Sequence, residues 1–197
     1  VATDQGLLYV IRHGATEWSA AGKHTGLTDL ELTEAGVTEA RELGESLAGL
    51  EFAQVRVSPL RRACHTAELA GLEPMVLDPD LVEWDYGGYE GLTTAEIRTR
   101  LGTDWSVWTD GVVPGQTQGE GIGQLADRLD RAIAAARPAL AQGNVALVAH
   151  AHSLRVLTAR WLGMAPEAGR MFRLETASYG VLGLEHEWPA IRRWSVR

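Results

Sequence analysis

The sequence predicts an α/β domain built on a mostly parallel sheet. Three apolar segments carry that reading: "LLYVIRH" at Leu7–His13, "QVRVS" at Gln54–Ser58 and "VALVAH" at Val145–His150. Each reads as a strand that stops on polar side chains. Helical patterns separate or follow them, and strand–helix alternation is the mark of a parallel sheet. In such sheets ligands bind beyond the carboxyl ends of the strands, where Arg12, His13, Ser58 and His150 would all sit.

Taken in order, the first strand runs through five apolar or aromatic residues and ends on Arg12-His13-Gly14. Thr33–Leu50 places Val37, Ala40, Leu43, Leu47 and Leu50 at helical spacing, with Thr33 as N-cap. "QVRVS" alternates, and Ser58-Pro59 predicts an N-cap followed by proline at the first helical position, opening a helix to about Ala70. Residues 84–120, rich in Trp, Tyr, Gly and Thr, break the rhythm. They predict an excursion over the sheet edge, a cap beside the site. Gly121–Gln142 then carries Ile122, Leu125, Leu129, Ile133 and Leu140 on one helical face. After the third strand, His152–Leu162 reads as a helix, and Tyr179–His186 and Ala190–Val196 as closing strands.

A chain of 197 residues with 45% hydrophobic content fits one domain, 1–197, with a substantial core. No apolar run approaches the length of a membrane span, and no signal peptide is visible at the N-terminus. The single Cys64 excludes an internal disulfide and fits the cytoplasm. A net charge of −8 argues against nucleic acid as a partner. It does not argue against a small anion, because a local arginine cluster overrides a distant negative surface. A homodimer is left open.

Two histidines and two arginines near one crevice suggest phosphate. Arginine matches phosphate oxygens bidentately, and the helix after Ser58 would place Arg62 about one turn in. A neutral imidazole can attack phosphorus, a second histidine, protonated, can stabilise the transferring oxygens, and a carboxylic acid must protonate the departing alkoxide. Glu83, just ahead of "WDYGGY", is placed to be that acid. Arg61, His24, His65 and His186 read as structural or exposed. A metal centre from His13, His150, His152 and Glu83 is disfavoured, since Arg12 and Arg62 would repel a cation.

Five motifs occur in order: "RHGATEW", "TGLTDLELTEAG", "SPLRRACHTAEL", "LVEWDYGGYEGLT" and "VAHAHSLR". Together they resemble the histidine phosphatase superfamily, in its phosphoglycerate-mutase-like branch, over nearly the whole chain. "EWDYGGYEG" and "WSVWTDG" look most like its acid and sugar-bisphosphate phosphatases. The resemblance implies a three-layer α/β/α sandwich with a mixed sheet. It implies that His13 is the nucleophile, that Arg12, Arg62 and His150 hold the phosphoryl group, and that Glu83 is proton donor and then base. Ser19, Thr25 and Gly26 fall in the substrate-binding loop, and Tyr86 and Ala151 join that set. No cofactor and no metal is expected, and the partner is a small phosphorylated metabolite.

Two departures stand out. Ala151 replaces the usual glycine in "HAH", which restricts its dihedrals. "PGQT" at Pro114–Thr117 replaces "GGES", so Gln116 lacks a carboxylate near the cap. The alternatives to a phosphatase are a cofactor-dependent phosphoglycerate mutase and an inactive phospho-ligand binding module. Glu90–Gly121 offers only Arg98 and Arg100 as cations, which counts against a mutase. The aromatic cap residues Trp84, Tyr86, Tyr89, Trp105 and Trp108 are read as a hydrophobic cluster rather than a sugar platform.

Overall fold

A computed structural model describes residues 6–197. Its centre is a six-stranded sheet in the order β3-β2-β4-β1-β5-β6. The strands are β1 (Leu8–Arg12), β2 (Phe52–Val57), β3 (Met75–Leu77), β4 (Asn144–Ala149), β5 (Tyr179–Glu185) and β6 (Trp188–Val196). β1 and β2 both run parallel to β4, and β3 runs parallel to β2. The two closing strands are antiparallel, so the sheet is mixed. The helices are α1 (Glu17–Ala20), α2 (Glu34–Ser46), α3 (Arg61–Leu69), α4 (Thr94–Leu101), α5 (Val107–Asp110), α6 (Ile122–Leu140) and α7 (Ala151–Trp161).

Two faces of one pleated strand build the three layers. Leu8 and Val10 of β1 pack with Leu125 and Leu129 of α6 and with Leu154 and Leu157 of α7. Tyr9 and Ile11 point the other way, to Leu43 of α2 and to Ala63 and Ala67 of α3. Both faces are covered, which is why β1 and β4 read as unbroken apolar runs. The cap lies on the α6–α7 side, where Trp84, Tyr86, Tyr89 and Trp105 join that core. No helix among the described residues is long and apolar enough to cross a membrane.

Several element boundaries differ from the sequence reading. α3 opens at Arg61 with Leu60 as a cap that makes no side-chain hydrogen bond. Ser58 is not the N-cap: its N–H still donates to Val148 C=O in the β ladder, and its hydroxyl pairs with His150 Nε2 at 2.7 Å. α7 starts at Ala151 with His150 itself in the cap position, one residue before His152. α2 ends at Ser46 rather than Leu50, and β6 begins at Trp188 rather than Ala190. The edge strand β3 carries no sequence signal, being three residues long and next to Pro74.

Candidate active site

His13 lies one residue past β1, and its N–H donates to Ala149 C=O, extending the β1–β4 ladder beyond the strand. This brings His13 beside His150, with ring centroids 5.1 Å apart. His13 Nδ1 is 2.7 Å from Gly14 C=O. A carbonyl only accepts, so Nδ1 carries the proton and Nε2 keeps the lone pair. Burial, and then Arg62 and Arg12, hold the imidazole well below its ordinary pKa, so it is neutral. Glycine follows because the backbone is crowded there: a Cβ on Gly14 would come within 2.4 Å of Gly36 C=O at the start of α2.

Arg12 donates one Nη1–H to Leu174 C=O at 2.7 Å. Its Nε is buried and has no partner among the described residues. A buried guanidinium N–H without an acceptor costs about 1–3 kcal/mol unless something supplies one. An anion in the cavity beside His13 would.

Arg62 and His150 are fully buried behind His13 rather than on the cavity wall. Arg62 Nε–H donates to His150 Nδ1 at 3.1 Å. Its other donors hold the backbone of the Thr25–Thr28 loop, with bonds to Gly26 C=O at 2.8 Å and Thr28 C=O at 2.9 Å. His150 therefore accepts at Nδ1 and donates from Nε2 to Ser58. It is neutral here, where the sequence reading had it protonated. Desolvation and the Arg62 charge keep it so.

Glu83 is buried at the N-terminus of α7. Its Oε2 accepts from His152 N–H at 3.0 Å, and its Oε1 accepts from the Ser153 and Trp84 N–H groups at 2.8 and 2.9 Å. Burial raises its pKa; these three N–H groups and Arg62 oppose the rise without cancelling it. Ala151 stands at the first helical position, where the N–H has no acceptor inside the helix. Its helical backbone suits alanine, so the lost glycine causes no strain there.

The wall of a cavity of about 540 Å³ includes Arg12, His13, Glu83 and Ala151, with Ser19, Thr25 and Tyr86 from the substrate-binding set. Gly26 is not on that wall. It is packed under Trp84 C=O, which a Cβ would approach to 2.5 Å, and it serves as a strut for Arg62. The Ser19 hydroxyl closes the capping box of α1 with Thr16.

Sequence reasoning missed much of this wall. His24 is buried and faces the cavity, with burial alone lowering its pKa to about 4. His152 Nδ1 shares a hydrogen bond with the Tyr86 hydroxyl at 2.6 Å, and its ring lies among Trp84, Trp108 and His24. Burial raises the phenol's pKa and lowers the imidazole's, so both groups are neutral. Lys23, Arg155, Arg170 and Arg173 also reach the cavity, so counting cations in the cap alone underestimates its positive lining. Arg98 reaches it as well, paired with Asp104 at 2.9 Å. No signal within Pro166–Glu175 marked that segment as part of the site. Trp84, Tyr86, Tyr89 and Trp105 form the expected hydrophobic cluster with Trp108 packed against it, and Tyr86, Trp105 and Trp108 also border the cavity, where Arg155 lies 4.8 Å over the Trp108 ring. Gln116 is exposed, and the carboxylate near the cap is Glu120, bound by Arg128. Arg61 is an exposed residue paired with Glu31, and His65 and His186 are exposed. Among the described residues no group of three or more His, Cys, Asp or Glu side chains could hold a metal ion.

A neutral strand-end histidine, one half-buried and one buried arginine and a carboxyl at a helix N-terminus define a phosphoryl-transfer site, and residues 8–197 match the histidine phosphatase superfamily (branch 1). The chain belongs to that family. It is 43% identical over 181 residues to an acid phosphatase of Mycobacterium tuberculosis, covering 91% of this chain and 87% of that one. It is 37% identical over 186 residues to sedoheptulose 1,7-bisphosphatase of Saccharomyces cerevisiae, covering 79% and 67%. The solved structure of a Mycobacterium tuberculosis open reading frame superposes with a TM-score of 0.90 at 40% identity, covering 97% of both chains. The protein is a histidine phosphatase with the phosphoglycerate-mutase-like fold.

Proposed function

We propose that the protein hydrolyses small phosphomonoesters in two displacements through phospho-His13. His13 Nε2 attacks phosphorus and the ester P–O bond breaks. The departing alkoxide takes the proton of Glu83. Water then attacks the phosphohistidine, giving its proton to the Glu83 carboxylate, and the P–N bond breaks to restore neutral His13. Arg12 and the Ala151 N–H stabilise the transferring oxygens, and Arg62 and His150 hold the charge behind them. Positive charge comes from side chains, so no metal is required. The observation that carries this reading is the His13 Nδ1–Gly14 bond, which leaves Nε2 with the lone pair, in a cavity that Arg12, with its unpartnered Nε, also lines.

The substrate is a phosphorylated metabolite small enough for the cavity, and the single cysteine fits work in the cytoplasm. A second reading, a cofactor-dependent phosphoglycerate mutase, draws support from the cations Lys23, Arg155, Arg170 and Arg173 on the wall. The deciding test is rapid-quench labelling with a phosphate ester. Wild type should trap an acid-labile phosphoenzyme. His13→Ala should trap none and turn over at background while keeping a native circular-dichroism spectrum. Substantial turnover by His13→Ala would overturn the mechanism.

A further inference from the structure

Arg128 is a buried arginine of α6 that no step above uses. All of its bonding capacity goes to one place. Its Nε and Nη2 grip both carboxylate oxygens of Glu120, at 2.7 and 2.8 Å. Its Nη1 donates to Asp80 C=O and Val82 C=O, at 2.8 and 2.7 Å, and Nη2 donates to Glu83 C=O at 3.0 Å. Glu120 in turn takes the indole N–H of Trp84 on its backbone C=O at 2.6 Å, and its N–H donates to Asp85 C=O at 2.9 Å. The chain before Glu83 and the Glu83 carbonyl are therefore held by a single guanidinium, and the chain after it by the main chain of Glu120, whose carboxylate that guanidinium grips.

We propose that the Arg128–Glu120 pair is the positioning device for the acid: it sets the backbone at Glu83 so that the carboxyl meets the N-terminus of α7 while still facing the cavity. The inference rests on the reading of Glu83 as the general acid. The geometry requires a device of this kind. Glu83 lies between a 3-10 turn at Pro79–Leu81 and an irregular stretch, so no regular element fixes it. The N–H groups of His152 and Ser153 in α7, and that of the neighbouring Trp84, all act on the carboxylate and not on the main chain of Glu83. Arg128 acts on the main chain instead. A planar fork can bind a carboxylate and three carbonyls at once; an ammonium cannot. Arg128 does not itself line the cavity and reaches Glu83 only through its backbone carbonyl, so it is a positioning residue.

The test uses leaving-group dependence, which loss of fold stability alone does not move. Alkyl phosphates need the proton of Glu83 in the transition state and nitrophenyl phosphate needs it far less. Arg128→Lys and Glu120→Gln should each lower kcat for glycerol phosphate about tenfold more than for nitrophenyl phosphate, following in smaller degree the pattern of Glu83→Gln. Leu140→Ala, at the far end of the same helix, serves as the stability control. It should lower Tm without altering the ratio of the two rates. If Glu83→Gln shows no such ratio, the acid assignment itself fails. If Glu83→Gln shows it while Arg128→Lys and Glu120→Gln lower both rates equally, as Leu140→Ala would, the positioning role alone is overturned. Arg128→Gln provides a neutral replacement should Arg128→Lys not fold.

Discussion

The guanidinium of Arg62 donates its Nε–H to Nδ1 of His150 at 3.1 Å, and this bond ties the protonation state of the second histidine to the arginine buried behind His13. A histidine that accepts at Nδ1 and donates at Nε2 is neutral. The two residues come from different elements, α3 and the cap of α7. Arg62 thus serves as charge, as tautomer lock for His150 and as anchor of the Thr25–Thr28 loop.

Arg62→Lys should therefore be far from conservative. Lysine keeps the charge but cannot bond His150, Gly26 and Thr28 together. We expect kcat to fall about 100-fold, the scale of losing one preorganised donor. Stability should fall by about 2 kcal/mol, as buried carbonyls lose their donors. Steady-state kinetics and urea melts measure both. A Lys variant with near wild-type rate would refute the anchor role.

The rate should peak on the acid side of neutrality. His13 must be unprotonated to attack, and its pKa lies well below the usual 6.5, so the ascending limb is acidic. Glu83 must carry a proton, and its pKa is raised above the usual 4.5 by burial, so the descending limb is set by its ionisation. Glu83→Gln cannot lose a proton. It should flatten the descending limb while slowing alkyl phosphates most. A pH–rate profile of both proteins on two substrates checks this.

Stability should decline with acid through the buried histidines. His24 titrates near 4 in the fold and near 6.5 when unfolded, so the unfolded state binds its proton first. The resulting stabilisation is complete above 6.5 and lost as pH falls toward 4, about 3 kcal/mol in all for His24. His13, His150 and His152 act in the same direction. Glu83, an acid with a raised pKa, acts oppositely and favours the fold as pH falls through its own titration. Replacing His24 by Gln should flatten the slope of unfolding free energy against pH between 6.5 and 4, as read from urea melts across that range.

Water should capture the phosphoenzyme faster than a phosphoglycerate does. Glu83 lines the cavity, and the cap's own cation on the wall, Arg98, is paired with Asp104. One assay with phosphoglycerate, bisphosphoglycerate and chelator follows free phosphate and isomer exchange in parallel. Phosphate release should dominate. Exchange leading by tenfold, about 1.4 kcal/mol in relative barrier, would favour the mutase reading and give a role to Lys23, Arg155, Arg170 and Arg173.

The sequence by itself determined the central strands β1, β2 and β4, the helices α2, α3, α6 and α7, and which side chains were candidates for the reacting groups; it did not mark β3, α4 or α5. An apolar run that halts on Arg12-His13 or on His150 is local information: a residue buried on both faces of a sheet must be apolar, and the residue past the strand end need not be. The same holds for Thr33, whose hydroxyl accepts from Gly36 N–H as the capping pattern requires. Tertiary structure alone decided what those groups touch. Ser58 looked like a helix cap because its sequence neighbour is proline, yet its hydroxyl lies beside His150, 92 residues away. His24, Lys23 and the segment at Arg170–Glu175 carry no motif, because their place on the wall comes from how distant segments fold over one crevice. The protonation of His150 and the raised pKa of Glu83 belong to that second class too. Both follow from burial and from partners brought by α3 and α7, and desolvation is a property of packing that no short stretch of sequence contains.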